Sequence, residues 1–270
     1  RFPTLTSAVA SVEPGIEATI VVHTNDYDES VTVEEGQVLA FLAAGVGSDL
    51  EAPRWTNTRG TLPQLTVSPK ATVIMDGMWL RDNLFSSEPG LRIDGGRAWV
   101  DRSRVVANQG GGIAVRDDGA LTLRNSFVGG NISNRSALEV SDASASVVYT
   151  TLGAGNGTAW ALKCSGESVV TVRNTLLLAV TTEDEVDCPG ATIEDSVSEL
   201  DLGVTNVGLG SMSVLWFVGY ANGDFHLSAA HPLAIATAAD WRAEDPSTDI
   251  DAGIYCRRSC MSFDRSSYSA

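Results

Sequence analysis

Short runs in which every second residue is apolar recur along this chain, and they recur at a nearly fixed period. Leu65-Thr-Val67, Leu91-Arg-Ile93, Ile113-Ala-Val115, Leu138-Glu-Val140 and Leu162-Lys-Cys164 share one apolar–x–apolar pattern, with successive starts 26, 22, 25 and 24 residues apart. A second such run follows in each unit: Thr72-Val-Ile74, Ala98-Trp-Val100, Leu121-Thr-Leu123, Ser146-Val-Val148, Val170-Thr-Val172 and Ala191-Thr-Ile193. Turn-forming residues come next, at Asp76-Gly77, Arg102-Ser103, Asn125-Ser126, Thr150-Thr151, Asn174-Thr175 and Asp195-Ser196. A period of two bounded by Gly, Asn, Asp and Ser reads as short β-strands. The helical period of 3.6 is nearly absent.

A unit of two or three short strands cannot bury its own apolar face, but stacked units bury a continuous one. The pattern therefore predicts an all-β protein, a single-stranded parallel β-helix solenoid of seven or eight coils. Alternation places Ile74, Val100, Leu123, Val148, Val172 and Ile193 in one inward column. It places Val67, Ile93, Val115, Val140 and Cys164 in another. Met75, Asp101, Arg124, Tyr149, Arg173 and Glu194 then stack outward, and a slip of one residue would invert the assignment. Asn83, Asn108, Asn131 and Asn156, spaced 25, 23 and 25, predict a hydrogen-bonded Asn column.

The ends carry further expectations. Phe2-Pro-Thr-Leu5-Thr-Ser-Ala8-Val9-Ala-Ser-Val12 reads as a short amphipathic helix plugging the N-terminal opening. With the following Tyr27-Asp28-Glu29-Ser30-Val31-Thr-Val33 phrase, it resembles the opening of the pectin-lyase-like, right-handed parallel β-helix superfamily. The tail, Gly223-Asp-Phe225-His226-Leu227 to His231-Pro232 and Asp249-Ile-Asp251-Ala-Gly253, is similar to the closing segment of secreted bacterial β-helix proteins. The resemblance implies a right-handed solenoid over 1–203 and an irregular C-terminal cap over 204–270.

Charge excludes some partners. The chain of 270 residues carries 18 Lys plus Arg against 34 Asp plus Glu, a net charge of −16. That disfavours nucleic acid. No apolar run reaches the roughly 20 residues of a membrane span. The imbalance is local. Residues 2–53 hold nine acids and 174–240 hold ten, both without Lys or Arg, while 54–173 are net +3.

Cys164 and Cys188 lie one coil apart, which predicts a disulfide between them. Cys256 and Cys260 are spaced for a local bridge, and an even count points to an oxidising, secreted or cell-surface setting. A four-thiolate zinc site is the alternative, to which the spacings are poorly suited.

Three functional classes remain open. The superfamily resemblance implies cleavage of an acidic polysaccharide, by a lyase or a glycoside hydrolase. The residues that fit are Asp76, Asp101, Arg102, Arg124 and Arg173, with Asp82 nearby. Solvated cross-coil ion pairs are the other reading of the same residues. A carbohydrate-binding module would use Trp79, Trp99, Arg104 and Tyr149, because sugar faces stack on rings and guanidinium forks bind acidic groups. The 41–64 stretch, with Trp55, would be a lid over these rings. The third class is a structural spacer of a larger surface protein, with the Ser-rich end leading to an anchor. No cofactor is called for. Calcium is weighed at Asp26, Asp28 and Glu29, at the acidic run containing Asp184, and at Asp249 and Asp251. The Asn131, Asn134 and Asn156 triplets match the glycosylation pattern, although a stacked column accounts for two of them.

Overall fold

The computed structural model describes residues 1–44, 52–129, 134–155, 159–179, 185–211, 213–220 and 224–228. Among these, the strands form three parallel sheets of eight, nine and seven members, built from every third strand in sequence save that the nine-stranded one ends on two consecutive strands, and one two-stranded antiparallel sheet. The first sheet runs from Glu17–Val22 to Thr192–Glu194, the second from Asp26–Asp28 to Val207–Gly208, and the third from Val31–Val33 to Val186–Asp187. Each coil visits the three sheets in turn and pairs with the coils before and after it. This is the parallel β-solenoid that the repeat predicts, with about seven turns.

Register carries the columns. Val67, Ile93, Val115, Val140 and Cys164 stack as expected, and Val33 extends the column. In the first sheet the inward column is Phe41, Met75, Val100, Leu123, Val147, Val172 and Ile193. Two expectations are thereby corrected. Ile74 points outward and Met75 inward; Val147 points inward and Val148 outward. Both errors fall where three apolar residues run consecutively, Val73-Ile-Met75 and Val147-Val-Tyr149, so alternation gave no parity.

The corner between the first and second sheets explains why the repeat holds. Its residues Gly77, Arg102, Asn125, Tyr149, Asn174 and Asp195 all have positive φ, between 44° and 71°. The next residue is a Ser or Thr in five of the six coils. Those hydroxyls donate to the carbonyl two residues back, as Ser103 does to Asp101 at 2.7 Å and Ser126 to Arg124 at 2.6 Å. They also accept from the coil below: Met78 N–H donates to Ser103 Oγ at 3.1 Å, and Ser103 N–H to Ser126 Oγ at 3.2 Å. This hydroxyl ladder satisfies polar groups where the backbone turns away from the sheet. The expected Asn column is present in part: Asn83 N–H donates to Asn108 Oδ1 at 3.0 Å. Asn131 and Asn156 lie outside the described residues.

The helix Leu5–Ala10 closes the N-terminal end of the lumen with Leu5, Ala8 and Val9 buried. Thr4 and Ser7 form a reciprocal capping box. Glu29 adds a second anchor, accepting from Leu5 N–H and Thr6 N–H, both at 2.8 Å. Glu29 is thus committed to the helix start. Asp28 accepts from Thr58, whose hydroxyl and amide hold its carboxyl below the usual range. Asp26 pairs with Arg54 at 2.7 Å. Each of these three acids thus carries local bonds.

Trp55 is not part of a lid. It is fully buried in the lumen, with its ring centroid 5.5 Å from that of Phe41 and its Nε1–H donating to Glu29 O at 2.9 Å. The 52–64 stretch belongs to the coil itself, because Trp55 occupies the inward second-sheet column with Leu80, Val105, Val128 and Leu152.

From Arg104–Val106 to Val197–Ser198 the second sheet is buried on both faces. Its outward residues Val106, Phe127, Leu176, Leu178 and Val197 form a second apolar cluster with Phe217 and Tyr220. Tyr220 donates its hydroxyl to Ala154 O at 2.9 Å. Residues 217–220 therefore lie along the side of the solenoid.

Candidate functional site

The outer face of the first sheet holds most of the residues singled out from the sequence. Its middle column runs Ala40, Ile74, Trp99, Thr122, Ser146 and Thr171. Trp99 is 51% exposed and Ile74 42% exposed. A ring and an aliphatic branch thus lie side by side on a flat surface, continued by three hydroxyls. Trp99 points outward because Ala98 and Val100, its neighbours in the strand Arg97–Asp101, point into the lumen.

The adjoining outward column is Asp76, Asp101, Arg124, Val148, Arg173 and Glu194. Arg102, at the corner, reaches Asp76 with both Nε, at 2.5 Å, and Nη2. Arg124 Nη2 lies 2.6 Å from Asp101 Oδ2, and Asn125 Nδ2 donates to Asp101 Oδ1 at 3.3 Å. The structure thus brings the candidate acids and bases together as cross-coil pairs. Asp76 and Asp101 are each engaged by a guanidinium, so this part of the column frames the Trp99 surface with ordered charge. Arg173 lies over the Tyr149 ring at 5.9 Å.

The other expected ring platforms are placed differently. Tyr149 is 4% exposed, part of the apolar cluster on the second sheet, and is corrected from an exposed platform to a packing residue. Its left-handed backbone turns the ring away from the first-sheet face. Trp79 is half-buried between Arg81, at 4.6 Å, and Arg104, at 5.5 Å. Arg104 is itself 8% exposed and also lies 5.2 Å from the Phe127 ring. Trp79 and Arg104 form a stacked column on the covered second sheet rather than an open binding surface.

Cys164 and Cys188 are joined, with their Cα atoms 4.4 Å apart. Asp184, Asp249, Asp251, Cys256 and Cys260 lie outside the described residues. No group of three or more metal-ligating side chains occurs among the described residues.

A concave feature elsewhere carries no mark in the apolar repeat. On the third-sheet side, a recess of about 170 Å³ is lined by residues that include Glu88, Gly110, Ala114, Arg116, Arg135 and Glu139. The signal was available: a run of three glycines at 110–112, and a lone Ala114 in a column of longer side chains.

No protein-family model matches this chain, and no curated protein matches it. Two solved structures match this chain. One is a pectin methylesterase variant crystallised with a hexasaccharide, with 15% identity, a TM-score of 0.33, and coverage of 73% of this chain and 66% of that one. The other is an alginate lyase from Paenibacillus sp., with 12% identity, a TM-score of 0.35, and coverage of 77% and 93%. The chain spans just under two thirds of the pectin methylesterase. Neither likeness assigns a role to any residue here.

Proposed function

We propose that this chain is a secreted or cell-surface β-helix module that binds carbohydrate without cleaving it, with the first-sheet outer face as its glycan surface. The observation that carries the reading is Trp99, an exposed ring on a rigid sheet beside exposed Ile74 and a row of hydroxyls. A sugar presents an apolar face of CH groups to such a ring and hydroxyls to its neighbours. Strand pairing on both sides holds the ring in place, so little ordering cost opposes binding. Asp76 and Asp101 support binding over hydrolysis, because each is engaged by an arginine from a neighbouring coil rather than facing the other across a gap. The Cys164–Cys188 bridge supports an oxidising location.

The test is retention on immobilised glycans, combined with a reducing-end assay on polygalacturonate and alginate, with and without calcium. Trp99→Ala should weaken retention by about tenfold, the equivalent of roughly 1.4 kcal/mol, with an unchanged melting temperature. Equal retention would remove the platform. Appearance of new reducing ends would replace this reading with the lyase or hydrolase one.

A further inference from the structure

The recess on the third sheet carries chemistry of its own. The middle outward column there runs Thr66, Arg92, Ala114, Glu139 and Lys163. A methyl group therefore stands between an arginine below and a glutamate above. Ala114 and Ile113 line the recess between these longer side chains. Its wall is backbone from two successive loops. A Cβ at Gly110 would collide with the Glu88 backbone and one at Gly112 with Ala137 O, while Gly111 sits at φ 109°. Only glycine lets these loops close to this spacing.

The charges around the recess divide into two kinds. Glu88 is neutralised by Arg92 Nη1 at 2.9 Å, and Lys163 lies 4.5 Å from the Trp160 ring centroid. Among the described residues, the side chains of Arg116, Arg135 and Glu139 form no hydrogen bond or ion pair. Arg116 and Glu139 are half-buried, and Arg135 is exposed at the rim. Two uncommitted guanidinium groups and one uncommitted carboxylate thus face one concavity. Other described arginines of this acidic chain are engaged, as at Asp26, Asp76 and Asp101.

We propose that this recess binds a compact hydroxy-carboxylate. The ligand's carboxylate is held by Arg116 and Arg135, and its neighbouring hydroxyls donate to Glu139. Guanidinium groups match a planar carboxylate, whereas a carboxylate such as Glu139 accepts only from donors. The volume is below the roughly 300–1,000 Å³ of drug-sized sites, so the occupant is a single ring or an equally short open chain. Two sources share that chemistry: a single acidic sugar unit and a free open-chain hydroxy acid. The site lies on a different sheet from Trp99 and involves none of its neighbours, so the two readings fail separately.

NMR titration of the intact chain with glucuronate, gluconate, glucose and sulfate tests it. Glucuronate or gluconate should shift the amides of residues 110–114, and the tighter of the two identifies the source. Glucose should leave them unmoved, and sulfate should bind at least tenfold more weakly. Arg116→Ala and Arg135→Ala should each weaken binding by tenfold or more. Ala114→Leu, an outward substitution that fills the recess without changing charge, should abolish it while the fold remains intact by circular dichroism. Binding of glucose, sulfate as tight as glucuronate, or binding that survives Ala114→Leu would overturn the proposal. So would the absence of any shift with both acids.

Discussion

Arg102 reaches one coil down to Asp76 with both Nε and Nη2, while its own backbone holds the left-handed corner at φ 49°. One residue thus makes an ion pair and bears a backbone cost. The two effects separate by substitution. Arg102→Ala loses the pair and keeps the strained corner. Arg102→Gly loses the pair and relieves the corner. With side chains about a quarter to a third exposed, the pair contributes at most about 1 kcal/mol. A left-handed L-residue costs about 1–2 kcal/mol. Urea denaturation should therefore find Arg102→Ala destabilised by about 1 kcal/mol and Arg102→Gly close to unchanged. Equal losses in both would show that the corner carries no backbone cost.

The Cys164–Cys188 bridge ties two successive coils near the C-terminal end of the third sheet. Its residues are only partly buried and the chain it closes is 24 residues long. Replacing both with Ser, or reducing them, should cost about 2–4 kcal/mol. Hydrogen exchange should place the loss mainly in residues 162–198, because a solenoid transmits stability through neighbouring coils. Unchanged melting in reductant would show that these coils hold without the bridge.

Tyr220 is buried against the second sheet, and burial pushes its phenol well above the ordinary tyrosine range, with Glu199 adding to the effect. The folded state keeps the group neutral where the unfolded chain ionises it. Its contribution is therefore whole below about pH 10 and is lost as pH rises beyond that value. Urea midpoints between about pH 8 and 11 should fall more steeply for the parent chain than for Tyr220→Phe. Near neutral pH the variant should lose about 1–2 kcal/mol, because Ala154 O is left without its donor.

Much of the fold is legible in the order of the amino acids. Leu65, Leu91, Ile113, Leu138 and Leu162 stack in the lumen because their spacing matches one coil and a polar residue separates each from the next inward position. The slips at Ile74 and Val148 occurred where consecutive apolar residues erased the alternation. Trp55 was misjudged because a longer coil resembles an insertion when only the period is read. Half of the candidate site was legible in the same way. Trp99 faces outward by parity alone, and the acids and arginines flanking it were already in one column.

Amino-acid order alone determined the repeat, the hydroxyl-bearing corners, the Cys pairing and the outward parity of Trp99, since each depends only on separation along the chain and on a two-residue alternation. Tertiary structure decided which arginines are occupied. It buried Arg104 and Tyr149 beneath neighbouring rings and the chain around Phe217 and Tyr220, and it left Arg116 and Arg135 open beside Glu139. The physical reason is that a side chain's availability depends on what a distant segment lays over it, and a local period carries no record of that.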